Sequence, residues 1–387
     1  MTYTETGTPL KLAFVGGSMD SAVGNTHFIA SRMDRCWDVV AGCFSTHASK
    51  NFHTGHLWGI EPSRIYPNSE SLFDSEVGRI DAVVILTPTP DHSQKVVAAL
   101  SRGLAVICEK ALAATEAEIS AIGEALCQNK GFLAVTYNYS GYPMVRELRY
   151  RIQQGELGRI RHVQMEMPQE GFQRLVADGA RPAPQAWRLE DGEIPTIHLD
   201  LGVHLHHLML FLIGSKPVSV AATQDCYGWF DAAIDNVNFL MRCSDGVSCQ
   251  GWYSKCALGY RNGLRVRIFG DHASAEWQQT EPETLTLSYR DGRVTKVDRA
   301  SESWIACQAR YERFKAGHPA GFIEAFANLY RDIAESLRSY QVGEPVENEY
   351  VYGYDHALAD LCFLRALTES ANAKEWREVP EGIVSSK

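Results

Sequence analysis

Short apolar runs alternate with amphipathic stretches along the first 136 residues of the chain. Five of these runs predict buried strands, and segments with helical periodicity, such as residues 93–102 and 116–129, lie between them. The predicted strands are residues 11–15, 38–44, 82–87, 105–108 and 132–136. Because strands and helices alternate, we expect a doubly wound parallel sheet.

The pattern changes after Tyr137. Several strand-like segments then follow one another with few helices between them, which predicts an α+β domain with a large open, mainly antiparallel sheet. These segments are residues 159–167, 218–223, 236–242, 246–253, 264–269, 273–278 and 284–289. Helical periodicity returns at residues 319–338 and 351–370, and residues 171–194 predict a long loop. We therefore expect an α/β protein with two domains, residues 1–136 and 137–387.

The composition argues against several classes of function. With 387 residues, 45% hydrophobic residues and a formal net charge of −10, the chain can bury two cores but is poorly suited to nucleic acid. No apolar run approaches the roughly 18 residues that cross a bilayer, and residues 1–9 contain no Lys or Arg, so we expect a cytoplasmic protein without a membrane partner. Its ten cysteines occur singly, without a Cys-x-x-Cys pair, which favours reduced thiols over a metal site.

A glycine turn follows the first predicted strand. Gly16 and Gly17 come directly after the apolar run, and Gly24 lies in the helix expected next. Adjacent glycines allow a tight turn and let backbone amides approach a pyrophosphate, which the N-terminus of the next helix then stabilises. The spacing departs from Gly-x-Gly-x-x-Gly, so this motif alone leaves open both dinucleotide binding and an ordinary strand-to-helix turn.

The second predicted strand is followed by Ser45-Thr46-His47 and lacks the acidic residue that usually binds the adenosine ribose. The Ser45 hydroxyl can bond either a ribose hydroxyl or a 2′-phosphate, and Arg32 and Lys50 are the candidate cations for the phosphate. Since this loop has no adjacent arginine, the sequence favours NAD, with NADP not excluded.

Two further motifs lie at predicted strand ends. Thr87-Pro88 with His92 follows the strand at 82–87, and Glu109-Lys110 follows the strand at 105–108. Ligands of open parallel sheets bind at the carboxyl ends of the strands, although a plain Pro-rich loop also explains the first motif. A lysine that ends a buried strand is placed to exchange a proton with a substrate hydroxyl.

A third motif, Asp200-Leu201-Gly202-Val203-His204, lies in an apolar stretch. On a helix Asp200 and His204 share one face, and His207 lies one turn further along it. Three interpretations stay open from these residues alone. Asp200 can cap a helix in which His204 is a core residue. His204, His207 and a carboxylate can ligate zinc, or His204 can be the base of a hydride-transferring enzyme with Asp200 orienting it. The glycine turn and Lys110 favour the last interpretation.

In their order and spacing, the motifs resemble those of the glucose-fructose oxidoreductase, inositol dehydrogenase and rhizopine-catabolism (Gfo/Idh/MocA) family. The resemblance runs from Leu12 to about Trp376. It includes the Gly16-Gly17 turn, Thr87-Pro88 with His92, Glu109-Lys110, Thr136-Tyr137-Asn138-Tyr139 and the motif from Asp200 to His204. Trp187-Arg188 and residues 317–322 resemble one subgroup of longer chains.

The resemblance implies a fold and an activity. It implies an N-terminal Rossmann domain that binds NAD, and a C-terminal sheet whose outer face forms homodimers or homotetramers. It also implies oxidation of a secondary hydroxyl group of a sugar, a sugar derivative or a cyclitol. Some similar proteins instead use NAD transiently, as lyases or glycosidases acting through a keto-sugar, and others bind the dinucleotide only as a signal.

By residue, the resemblance implies that Lys110 is the catalytic lysine, Asp200 the carboxylate and His204 the proton acceptor. Residues expected to bind the cofactor are Gly16, Gly17, Gly24, Ser45, Thr87, Pro88, His92, Glu109 and Asn138. Candidate substrate contacts are Tyr139, Trp187, Arg188, His207 and His318. Two positions depart from the family pattern: Ala111 replaces the proline after the lysine, and His207 replaces a common aspartate, which changes the charge of the pocket.

Overall fold

The computed structural model describes residues 7–301 and 303–382, so most of the polar N-terminal segment lies outside the described residues. Its contacts divide the chain into two units. One consists of Met1–Gly141 and Phe322–Ala357, and the other of Tyr142–Gly321 and Leu358–Lys387. The sequence prediction drew a single boundary after residue 136 and did not include the return of Phe322–Ala357 to the first unit.

The first unit contains a five-stranded parallel sheet in the order β2-β1-β3-β4-β5. The strands are β1 (Leu10–Gly16), β2 (Trp37–Cys43), β3 (Ala82–Leu86), β4 (Val106–Cys108) and β5 (Leu133–Val135). A parallel bridge between Gly42 and Ile65 adds one more position beside β2. The predicted doubly wound parallel sheet is confirmed, because each strand is fully or nearly fully apolar and is followed by a helix.

Helices connect these strands. They are α1 (Ala22–Met33), α2 (Ala48–Leu57), α3 (Ser69–Glu76), α4 (His92–Leu100) and α5 (Glu116–Asn129). Local signals in the sequence fix two of the helix starts. Ser21 accepts a hydrogen bond from Gly24 N at the start of α1, and Thr115 and Glu118 form a reciprocal capping box at the start of α5.

The second unit is built on a nine-stranded sheet in the order β13-β12-β11-β10-β6-β9-β8-β7-β14. Its strands are β6 (Ile160–Pro168), β7 (Pro217–Asp225), β8 (Asn236–Cys243), β9 (Ser248–Ser254), β10 (Arg265–Gly270), β11 (Ala273–Gln278), β12 (Leu285–Tyr289), β13 (Val294–Val297) and β14 (Arg377–Glu378). Among the described strands of this sheet, β6 and β9 are the only neighbours that pair in parallel, so the predicted mainly antiparallel sheet is confirmed.

One face of this sheet is buried and the other is exposed. Along β8, Val237, Phe239 and Met241 are buried, whereas Leu240 and Arg242 are exposed. Helices α6 (Pro143–Gln153) and α7 (Val203–Ile213) belong to the same unit. The predicted loop at residues 171–194 contains one short 3-10 helix, Ala186–Leu189, and no strand.

Helix α8 (Phe322–Gln341) packs on the sheet of the first unit. Its side chains Phe326 and Tyr330 join the core of β1, β2 and β3, and Tyr330 O accepts a hydrogen bond from Trp37 Nε1 at 2.8 Å. Helix α9 (Tyr354–Ala373) begins in the first unit and continues into the second. Helical periodicity predicts both helices, but it carries no information on the sheet against which a helix packs.

Candidate active site

The glycine turn joins β1 to α1 in the tight form that the sequence predicted. Gly16 and Gly17 both have left-handed backbone angles, with φ of 81° and 70°. A Cβ on Gly16 would lie 2.9 Å from the backbone of Leu86, and one on Gly24 would lie 2.0 Å from Gly17 O. Larger residues do not fit either position, so the chain passes close to β3 and to the first turn of α1.

Four motifs lie at one edge of the parallel sheet. Gly16 pairs with Leu86 and Cys108 with Val135, so the carboxyl ends of these strands bring together the glycine turn, Thr87, Glu109-Lys110 and Asn138. Two of these side chains carry a buried polar atom without a hydrogen-bond partner among the described residues, Thr87 Oγ1 and Asn138 Nδ2. Buried polar atoms are normally satisfied, and this edge therefore suits a polar ligand.

His92 ties two of these loops together. Its Nδ1 lies 2.7 Å from Ala111 O and its Nε2 lies 2.8 Å from Thr87 O. Burial lowers the pKa of His92, although both carbonyl contacts oppose that shift. The peptide bond between Lys110 and Ala111 is cis. His92 therefore fixes the loop after β3 to the residue that follows Lys110.

Glu109 belongs to a buried polar network that the sequence did not predict. Its Oε1 lies 3.0 Å from His27 Nε2 and accepts a hydrogen bond from the Thr136 hydroxyl. The other His27 nitrogen lies 2.6 Å from the Tyr330 hydroxyl. Burial raises the pKa of Glu109, but the hydrogen bond and charge of His27 and the charge of Lys110 outweigh it and hold the pKa below its usual value. Glu109 is therefore an ionised neighbour of Lys110.

In the second unit, Asp200 lies on a wide helical turn. Residues His198–Gly202 form a π-helical turn directly before α7, whereas the interpretations of the sequence placed Asp200 and His204 only at α-helical spacing. Single π-helical turns are frequent at functional sites. Gly202 permits the packing of this turn, because a Cβ there would lie 2.9 Å from the Tyr253 hydroxyl. That hydroxyl also contacts His198 Nδ1.

His198 is neutral in this environment. Burial lowers its pKa from 6.5 to about 3. Its Nε2 has no hydrogen-bond partner among the described residues, so a proton there would be buried without an acceptor. The ring contributes a neutral contact to Tyr253 that holds the turn of Asp200.

Two cations meet at the Asp200 carboxylate. Oδ2 lies 2.6 Å from Arg188 Nη1 and 2.7 Å from Lys255 Nζ. Lys255 is buried, and its ammonium lies 4.9 Å from the centre of the Phe172 ring. Sequence reasoning missed Lys255, although it follows a predicted strand as Lys110 does.

Comparison with known proteins places most of the chain in one enzyme family. Residues 10–137 match the oxidoreductase family with an NAD-binding Rossmann fold, and residues 145–276 match the GFO/IDH/MocA C-terminal domain. An uncharacterized oxidoreductase of Bacillus subtilis, YfiI, is 32% identical over 94% of this chain and 95% of its own.

The chain belongs to the Gfo/Idh/MocA oxidoreductase family. It is an oxidoreductase whose first unit binds NAD. Levoglucosan dehydrogenase of Pseudarthrobacter phenanthrenivorans is 29% identical over 78% of this chain and 80% of its own. The structure of an inositol dehydrogenase homologue of Azotobacter vinelandii, complexed with NADH and myo-inositol, is 26% identical, covers 98% of this chain and 100% of its own, and superposes with a TM-score of 0.89.

The sheet edge of the first unit fits the cofactor of this Gfo/Idh/MocA protein. The glycine turn leaves no room for side chains, and polar groups of NAD would satisfy Thr87 Oγ1 and Asn138 Nδ2, which have no hydrogen-bond partner among the described residues. Ser45 Oγ accepts a hydrogen bond from His47 N at 3.1 Å, at the start of α2. Pro88 begins the 3-10 turn that leads into α4.

The other site residues predicted from the Gfo/Idh/MocA resemblance differ in exposure. His204 and His207 are buried on α7, and Tyr139 is buried in the first unit. Trp187 is half-buried beneath the Arg188 guanidinium, 4.4 Å from it. His318 is exposed and packs edge-on against Phe314 at 4.6 Å.

Within residues 7–301 and 303–382, no group of three or more His, Cys, Asp or Glu side chains has the arrangement of a metal site. Over the same residues, no helix is both long and apolar enough to cross a membrane.

Proposed function

We propose that the protein is a dehydrogenase that oxidises a secondary hydroxyl group of a sugar, a sugar derivative or a cyclitol. The observation that carries this proposal is the position of Lys110 at the sheet edge that also carries the glycine turn. The relatives named for levoglucosan and inositol support the substrate class. Bound NAD supplies the hydride acceptor.

Three side chains each have one role in the proposed oxidation of the hydroxyl group. His204 accepts the proton of the hydroxyl group as the hydride leaves the carbon. Lys110 donates a hydrogen bond to the same oxygen and stabilises its developing negative charge. Asp200 orients the hydroxyl or the imidazole.

The contacts of Asp200 support an orienting role rather than that of a base. One of its oxygens already accepts from Arg188 and Lys255, and two cations favour the ionised carboxylate. A carboxylate held in this way has a fixed direction, and its Oδ2 is occupied by two cations. We therefore assign the role of proton acceptor to the imidazole of His204.

We propose that the Arg188 guanidinium and the Trp187 indole, which stack on each other, contact the substrate, since both groups suit a polyol. Tyr139, His207 and His318 are further candidate contacts.

The exposed outer face of the second sheet carries Leu240 and Phe269, and we propose that a homodimer or homotetramer forms there. Ten free cysteines support a cytoplasmic location.

A coenzyme-reduction screen tests the function. Inositols, anhydrosugars, glycosides and amino sugars are each incubated with NAD or NADP, and the reduced coenzyme is measured together with the ketone. We expect equal amounts of NADH and ketone from at least one of these classes. Substrate cleavage without accumulation of NADH would instead indicate transient redox in a lyase or glycosidase, and would contradict the proposal.

A further inference from the structure

An ion pair links the glycine turn to the helix that follows β2. Asp20 lies between Gly17 and α1, and Lys50 lies in the first turn of α2. Asp20 Oδ2 is 2.9 Å from Lys50 Nζ. Met19 N donates to Thr54 Oγ1 at 3.4 Å, which connects the same two segments a second time.

This pair lies at the ribose corner, by which we mean the place between the glycine turn and the loop after β2 where Rossmann domains distinguish NAD from NADP. In Rossmann domains the adenosine ribose binds between the glycine turn and the loop after the second strand, and an acidic residue in that loop usually accepts from the 2′-hydroxyl. Residues 45–50 contain no acidic residue. The charges of this corner are instead Lys50, the positive N-terminal end of α2, and Asp20.

Without Asp20, this corner would favour a 2′-phosphate. Lys50 and the N-terminus of α2 both attract an anion. The other candidate cation, Arg32, lies in the last turn of α1, where its guanidinium stacks on Phe28 at 4.9 Å from the ring centre. Whether Lys50 is paired with Asp20 therefore decides how tightly a 2′-phosphate binds.

We propose that Asp20 selects NAD over NADP, by holding Lys50 and by placing a negative charge beside the ribose corner. The pair is exposed, with 61% of the Asp20 side chain and 41% of the Lys50 side chain accessible, so it adds little to folding stability and can be altered without harm to the fold. A neutral ribose hydroxyl tolerates Asp20, whereas a 2′-phosphate is repelled by it. This inference depends on NAD binding by the first unit and not on the proposed sugar substrate.

The test measures binding of NADH and NADPH to the full chain by fluorescence titration, without any substrate. The variants are Asp20→Asn, Asp20→Asn with Lys50→Met, and the control Glu70→Gln. Glu70 forms a comparable surface pair with Lys95 at 3.1 Å in the same unit. We expect wild type to prefer NADH, and Asp20→Asn to tighten NADPH binding by about 10-fold while NADH changes by less than about threefold.

The double variant should lose most of the NADPH gain, because the freed Lys50 is its main cause, and Glu70→Gln should behave as wild type. Unchanged NADPH binding in Asp20→Asn, or a gain that persists in full without Lys50, would overturn the inference. So would loss of both coenzymes in Asp20→Asn, since Asp20 would then hold the turn rather than select the coenzyme. A protein that binds NADH as expected yet oxidises no sugar contradicts only the proposed function.

Discussion

Lys255 Nζ lies 2.7 Å from Asp200 Oδ2, and the lysine is buried against Phe172. The pair joins the end of β9 to the π-helical turn that begins at His198. A buried ammonium in this position fixes the direction of the carboxylate. We therefore propose that Lys255 is a positioning residue, which acts on the substrate through Asp200.

Replacing Lys255 by Met should lower kcat by about 10- to 100-fold, because a small displacement of an orienting group is costly in the transition state. NADH affinity, measured by fluorescence, should stay within about threefold of wild type. Lys255→Arg should recover part of the loss, since it restores a cation. Lys296→Met, which removes an exposed cation 3.9 Å from Glu281, is the control. Normal kcat in a folded Lys255→Met protein would contradict the positioning role.

The His27 network should contribute to the stability of the first unit. In His27→Phe the buried Glu109 carboxylate loses one of its partners, and we expect a loss of about 2–4 kcal/mol in the free energy of unfolding. Tyr330→Phe removes only a hydroxyl that contacts His27 and should cost about 1 kcal/mol. Urea unfolding monitored by circular dichroism measures both variants. Equal stabilities of the two variants would show that the contact between His27 and Glu109 has no special weight.

The buried His198 predicts a loss of stability in acid. Its pKa is about 3 in the folded chain against 6.5 for an unperturbed histidine, so between these values the unfolded state binds a proton that the folded state does not. The stability that the neutral, buried His198 permits is therefore complete above pH 6.5. It is lost as the pH falls toward about 3, at up to about 1.4 kcal/mol of unfolding free energy per pH unit.

The variant His198→Gln should make the pH dependence of unfolding shallower in that window, because Gln does not titrate. Urea midpoints at several pH values between about 4 and 7 measure the slope. His53→Gln, at an exposed position of α2, is the control and should leave the slope unchanged. An identical slope in His198→Gln and wild type would show that another group causes the acid sensitivity.

The sequence predicted the two sheets because their signals are local. Apolar runs such as 82–87 and the alternation along 236–242 determine which segments form strands. The strand β13 was missed because three of its four residues, from Val294 to Lys296, are exposed or half-buried and give no apolar pattern. The return of α8 to the first unit depends on contacts with β1 and β2, which periodicity does not encode.

The site was predicted only as far as its motifs extend. Gly16, Lys110, Asp200 and His204 stand in recognisable local contexts, and their roles stay predictions. His27 and Lys255 stand in no such motif. Their importance depends on contacts with Glu109 and Asp200, which lie in distant parts of the chain, so the sequence gives no local signal for them. The π-helical turn was missed for a related reason, since one extra residue in a turn leaves no periodic signal.

Removing the proposed acid-base groups should affect turnover far more than coenzyme binding. Lys110→Ala and His204→Ala should each lower kcat by roughly two to four orders of magnitude, the usual range for lost acid-base help. If Asp200 and His204 act as one unit, the double variant should cost little more than His204→Ala alone. Steady-state kinetics on the substrate found by the screen, with NADH titrations on the same preparations, measure both quantities.

The most direct test of the central claim is the amount of NADH formed per ketone by wild type and by Lys110→Ala, on the same substrate. We expect equal amounts of NADH and ketone from wild type, and a rate reduced by at least about 100-fold in a folded Lys110→Ala protein that still binds NADH. Wild-type turnover by Lys110→Ala would contradict the proposed role of Lys110 and would leave only the NAD-binding fold.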